Sequence, residues 1–183
     1  MIKRIVASLL TFMMSLSTVR ADTDDDRLKK LHDLYQCPIF SYLVAIHRQP
    51  LVRENRYLSL EIAHRVDHRF YAQCAFEDED RRMHCEVSSP FFNKVMTPYF
   101  RGDRLKIVKA LGYRRQPKDN YYQKRDAQDL RSLFQIAGLL IETEGRLFDM
   151  EPDEGLNYDA PLVIGRPTDV TEGGFCAPMI SQR

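Results

Sequence analysis

The sequence predicts an α+β domain in which an antiparallel strand meander carries its helices on one face. Residues 57–62 alternate apolar and polar side chains, and 70–76 and 83–87 do the same, which is the period of a strand with one buried face. Three such strands in succession make a meander. Residues 126–145 instead repeat apolar side chains every three or four positions, the stripe of an amphipathic helix. Helical patterns stand before and after this meander but not within it, so the helices are expected to collect on one side of the sheet.

At the start of the chain, Lys3 and Arg4 precede an apolar run from Ile5 to Thr18, and Val19-Arg20-Ala21 supplies side chains that signal peptidase accepts. The run falls short of the roughly 20 apolar residues a membrane span needs, and Asp22, Asp24, Asp25 and Asp26 follow it directly. Residues 1–21 are therefore read as a cleavable signal peptide, 22–150 as the α+β domain and 151–183 as an irregular Pro/Gly-rich tail tied to it. An uncleaved anchor is the alternative. A bacterial periplasmic or secreted location is expected, with no integral membrane segment left after cleavage. Removing Lys3, Arg4 and Arg20 leaves 24 basic against 26 acidic side chains, a net of −2 in place of +1. A nearly neutral mature chain gives no reason to expect a nucleic-acid partner.

Leu28, Leu31, Leu34 and Tyr35 follow a helical period behind the aspartate cluster, whose carboxylates suit a helix N-terminus. Pro38 is then read as the first residue of a second helix through Ile39, Leu43 and Ile46, with a buried strand as the alternative. After the meander, Pro90 to Phe100 is a candidate short helix interrupted by Pro98. Gly102-Asp103 opens another, whose Leu105, Val108 and Leu111 share a face and whose C′ residue is Gly112. Asn120 to Arg125 reads as a short strand or extended connector. Asp126 is expected to cap the longest helix, which carries Leu130, Leu133, Phe134, Ala137, Leu140 and Ile141 and stops at Gly145. Beyond Glu151 only Leu162 to Ile164 looks like a strand.

Four cysteines in an exported chain favour disulfides, with three connectivities open. A hairpin centred between Glu79 and Asp80 sets Phe76 against Met83, Cys74 against Cys85 and Ala72 against Val87. Without Gly or Asn in the turn, a four-residue loop from Asp78 to Arg81 is favoured. It leaves Cys74 and Cys85 in a non-hydrogen-bonded pair about 4.5 Å apart at Cα. A Cys74–Cys85 bridge is expected, and by elimination Cys37 joins Cys176. The alternative is two buried thiols on the core face of the hairpin. The close ligand pairs of a structural zinc site and a C-x-x-C motif are both absent.

The succession of a meander ending in His84-Cys85-Glu86-Val87, then Leu111-Gly112-Tyr113, then Asn120-Tyr121 and a long helix from Asp126 to Gly145 resembles the YbjN and TY-Chap proteins. These belong to the type III secretion chaperone-like superfamily, and the similarity spans Leu28 to Leu147. The resemblance implies a chaperone-like fold, no catalytic motif, a protein segment as partner and, as in type III chaperones, a homodimer.

Candidate chemistry is sparse. His64, Asp67 and His68 are the nearest approach to a metal-ligand cluster, but they fall in a connector without the helix that makes an i, i+4 pair converge. Ser88 and Ser89 lack a nucleophile elbow. The carboxylates from Glu77 to Asp80, and Glu142 and Glu144, read as solvated turn and helix surface. No cofactor, metal or catalytic residue is expected. The most suggestive charged segment contains Arg101, Arg104, Arg114, Arg115, Lys118, Lys124 and Arg125, interleaved with Tyr113, Tyr121 and Tyr122. Such a stretch suits an anionic partner, and in an exported protein that means an acidic protein or an envelope surface. A non-catalytic protein-binding, chaperone-like or regulatory module is thus expected. The alternative is an envelope hydrolase, or an inhibitor of one presenting Asp78–Arg82 or His64–Arg69.

Overall fold

The computed structural model describes residues 2–51, 54–63, 65, 70–77, 79, 81–115, 118–165, 167 and 176, with side chains from residue 24 onward. The elements are α1 (Ile2–His47), β1 (Tyr57–Ile62), β2 (Tyr71–Glu77), β3 (Arg82–Val87), a 3-10 helix (Lys94–Phe100), α2 (Gly102–Ala110), β4 (Arg114–Arg115), β5 (Tyr121–Asp126), α3 (Leu130–Glu142) and β6 (Leu156–Asp159). The strands form one antiparallel sheet in the order β4-β5-β3-β2-β1-β6. Its inner face, with Leu58, Leu60, Ala72, Cys74, Met83, Cys85 and Val87, joins a single core with α1 and α3. The fold is the expected α+β arrangement. Among the described residues no helix is long and apolar enough to cross a membrane.

The meander has the register that side-chain alternation requires: Ala72 opposes Val87, Cys74 opposes Cys85, and Phe76 opposes Met83. The interval between β2 and β3 is residues 78–81, the expected four. Cys74 is bonded to Cys85 across a 4.0 Å Cα separation, and Cys37 in α1 is bonded to Cys176 across 5.8 Å.

Several local expectations need correction. The two N-terminal helical patterns are one helix, and Pro38 lies inside it rather than at a start. Proline's missing N–H deprives the carbonyl of Leu34 of its intrahelical partner, and Leu34 is 52% exposed. Helix α1 therefore exceeds α3 in length. The cap of α3 is Asp129, whose side chain accepts from the Ser132 amide at 2.7 Å; Asp126 ends β5 and accepts from the Ser132 hydroxyl instead. The helix runs past Gly145 in a π-helical turn, Thr143–Leu147. Residues 156–159 form a strand against β1, whereas Leu162 to Ile164 do not. The expected 90–100 helix is confined to Lys94–Phe100, capped by the Asn93 side chain.

Two glycines are required by geometry. Gly112 has φ +92° and ends α2 in a Schellman arrangement, donating to the Lys109 carbonyl while Tyr113 donates to that of Val108. At Gly145 a Cβ would stand 2.6 Å from Leu28 Cδ2, so α1 packs against the end of α3 only because the side chain is missing.

The end of α3 is held by three arginines from distant parts of the chain. Arg27 donates to the carbonyls of Gly145 and Met150, Arg104 to that of Leu147, and Arg65 to those of Phe148 and Asp149. Cations at a helix C-terminus satisfy carbonyls that have no intrahelical partner and oppose the negative end of the dipole. Arg65 also grips both carboxylate oxygens of Glu154, at 2.9 and 2.8 Å. We expect Arg65→Met to lower the unfolding free energy by about 2 kcal/mol in urea titration, the value of charge-assisted bonds lost from a half-buried site.

Candidate binding surface around strand β4

Strand β4 is a two-residue edge strand whose alternation sends its two arginines to opposite faces of the sheet. Arg114 opposes Tyr122 and Arg115 opposes Tyr121. The outer face is a polar surface. One row across it reads Arg114, Tyr122, Glu86, Gln73, Ser59, Asp159. Charge thus runs from basic at β4 to acidic at β6. The next row sets Lys124 beside His84. His84 stacks on Tyr122 with centroids 5.3 Å apart and sits 3.7 Å from Glu77 and 3.9 Å from Glu86. Tyr71 anchors the middle of this face, accepting from the Asn120 amide at 2.7 Å, and its burial raises the phenol's pKa.

The seven cations of the basic stretch do not form one patch. Arg104 is committed to Asp149 and the Leu147 carbonyl and lies over the Tyr99 ring. Lys124 pairs with Glu77 at 2.8 Å, and Arg125 donates to Gln123 and to the Leu111 carbonyl. Arg101, Arg114, Arg115 and Lys118 remain, and among the described residues none of these four makes an ion pair. Arg114 borders a shallow cleft of about 410 Å³ on the outer face. Arg101, Arg115 and Lys118 border another of about 480 Å³ together with Phe91, Phe100 and Tyr121. The carboxylate there, Asp119, is already hydrogen-bonded to the amide of Asn120 at 2.8 Å.

The serines beside this cleft are structural. Ser89 donates to the Asp119 carbonyl and accepts from the Phe91 amide, and Ser88 accepts from the Tyr71 amide. No group of three potential metal ligands occurs among the described residues. His64, Asp67 and His68, and most of the candidate His64–Arg69 loop, lie outside them. In the hairpin loop Arg81 and Glu79 form an exposed pair.

Two features are not apparent in the sequence. Glu144, expected on a solvated helix surface, is completely buried, and neither oxygen has a hydrogen-bond partner among the described residues. Burial pushes its carboxyl well above the ordinary range, against the pull of the Arg65 charge. Nearby, burial raises the Tyr113 phenol to about 12, and its hydroxyl meets that of Thr143 at 3.0 Å. The second is exposed: Phe91, Phe92 and Val95 stand 57%, 61% and 47% accessible beside the basic cleft. Compared with protein-family models, curated proteins and solved structures, the chain matches none.

Proposed function

We propose that this protein is an exported, non-catalytic binding module that holds an acidic segment of a protein partner against the edge strand β4. The observation that carries the reading is the gathering of Arg101, Arg114, Arg115 and Lys118, none with an ion pair among the described residues, around one short sheet edge. An extended segment adding to that edge gains main-chain hydrogen bonds, and its alternate side chains meet Arg114 on one face and Arg115 on the other. Acidic side chains at those positions complement both. The acidic edge at β6 repels the same segment. Export rests on the signal-peptide pattern of residues 1–21 and fits a chain with two disulfides. Capture of a protein segment is also what the resemblance to TY-Chap proteins implies.

Fluorescence anisotropy with a labelled Glu-rich peptide tests this. Binding is expected to weaken by about tenfold or more in Arg114→Glu/Arg115→Glu, and to weaken steeply as salt rises from about 50 to 200 mM. Equal binding of a Lys-rich peptide, or affinity indifferent to both changes, would overturn the reading.

A further inference from the structure

Residues 91–95 carry a feature that peptide capture at β4 does not use. Phe91 and Phe92 are consecutive, both more than half exposed, and their rings meet edge to face at 4.9 Å. Val95, one turn on, extends the same apolar surface. The turn is fixed from below: Ser89 accepts from the Phe91 amide and donates to the Asp119 carbonyl, Asn93 donates to the Ser89 carbonyl, and the Asn93 side chain caps the following helix. Ser88, Ser89 and Asn93 are all buried. The aromatic pair is therefore presented rather than mobile, and no ordering of the turn is needed when it meets a partner.

Near it stand Lys94, Arg101 and Lys118, none with an ion pair among the described residues, beside a single carboxylate, Asp119, so the cations are in excess. Two protruding aromatics inside a ring of cations match a surface that is apolar beneath and anionic at its boundary. We propose that this turn docks the protein on an anionic phospholipid bilayer, with Phe91, Phe92 and Val95 entering the headgroup region and Lys94, Arg101 and Lys118 lying against lipid phosphates. Arg101 and Lys118 serve both readings, whereas Arg114 and Arg115 belong to peptide capture alone and Phe91, Phe92, Lys94 and Val95 to docking alone.

The chain contains no tryptophan, so Phe92→Trp places a single reporter on the docking turn. In protein recovered after export, its emission is expected to shift to the blue with phosphatidylglycerol/phosphatidylcholine vesicles and to be quenched by bromine-labelled acyl chains. Phosphatidylcholine alone should do neither. In vesicle sedimentation, Phe91→Ser/Phe92→Ser and, separately, Lys94→Glu/Lys118→Glu should each weaken binding by about tenfold. An unchanged urea unfolding midpoint shows that the serine variant is folded. An indole emission that neither shifts nor is quenched would overturn the inference. So would equal binding to neutral vesicles, or partition that survives the serine changes. Failure here with intact peptide capture leaves the β4 reading standing, and the reverse result separates them equally well.

Discussion

Replacing Cys37 and Cys176 together by alanine is expected to lower the unfolding free energy by about 5 kcal/mol, the largest effect of the changes considered for this chain. The bridge closes a loop across 139 residues, and in the chain-entropy description the loss grows with loop length. The bridge between Cys74 and Cys85 spans only 11 and is worth about 3 kcal/mol on the same basis. Against the roughly 5–15 kcal/mol that holds a typical domain, the first loss would leave a substantial unfolded population near body temperature. Alanine is chosen because Cys176 is buried and a serine hydroxyl there would need a partner. Guanidinium titration of the oxidised proteins checks this. A loss below about 1 kcal/mol at Cys37 and Cys176 would show that the chain end adds nothing to stability.

The second large effect depends on pH. Glu144 keeps its proton in the folded protein at pH values where the unfolded chain has lost it, because burial disfavours the charged form. Stability is therefore complete below the ordinary carboxyl pKa and falls as pH rises above it, by about 1.4 kcal/mol per unit, until the folded group ionises. Glu144→Gln keeps the shape and removes the titration. The variant should match the parent below the ordinary carboxyl range and exceed it increasingly as pH rises above that range, until the folded group ionises, in urea titrations. Glu142 and Glu154 act in the opposite sense. Hydrogen bonds from His32 and Arg65 respectively depress them, so their contribution is present above the ordinary range and is lost as pH falls through their lowered values. Both proteins share that loss, and it cancels in the difference. Parallel pH profiles for parent and variant would refute the assignment.

The meander is legible because a strand's period of two fixes register wherever one face is buried; Ala72, Cys74 and Phe76 can meet Met83, Cys85 and Val87 with their apolar sides aligned in one way. Strand β6 is hidden for the complementary reason. It offers only Leu156 and Tyr158 to the inner side, and its partner β1 lies about 100 residues away in sequence. Pro38 resembles a helix start because proline suits the first helical position, and nothing local shows that the helix already runs through it. At Glu144 the position is readable and the residue is not. Ala137, Leu140 and Ile141 lead by helical spacing straight to 144, yet a carboxylate is ordinarily assigned to the surface. For the basic stretch, the sequence shows the charges but not the distant groups, Asp149 and Glu77, that neutralise Arg104 and Lys124.

The strand order has a consequence for the timing of folding. In a chain that emerges N-terminus first, β1 can pair with β2 almost at once, while its other edge waits until residues 156–159 appear. An open, apolar-backed edge invites pairing with any other extended chain. The long-range closure by β6 is entropically costly and slow, and Cys37 cannot meet Cys176 until later still. The sheet is thus completed only by residues 156–159, and the second bridge only by Cys176. Until residues 156–159 arrive, the sheet lacks its β6 edge and is exposed to misassembly if translation stops early.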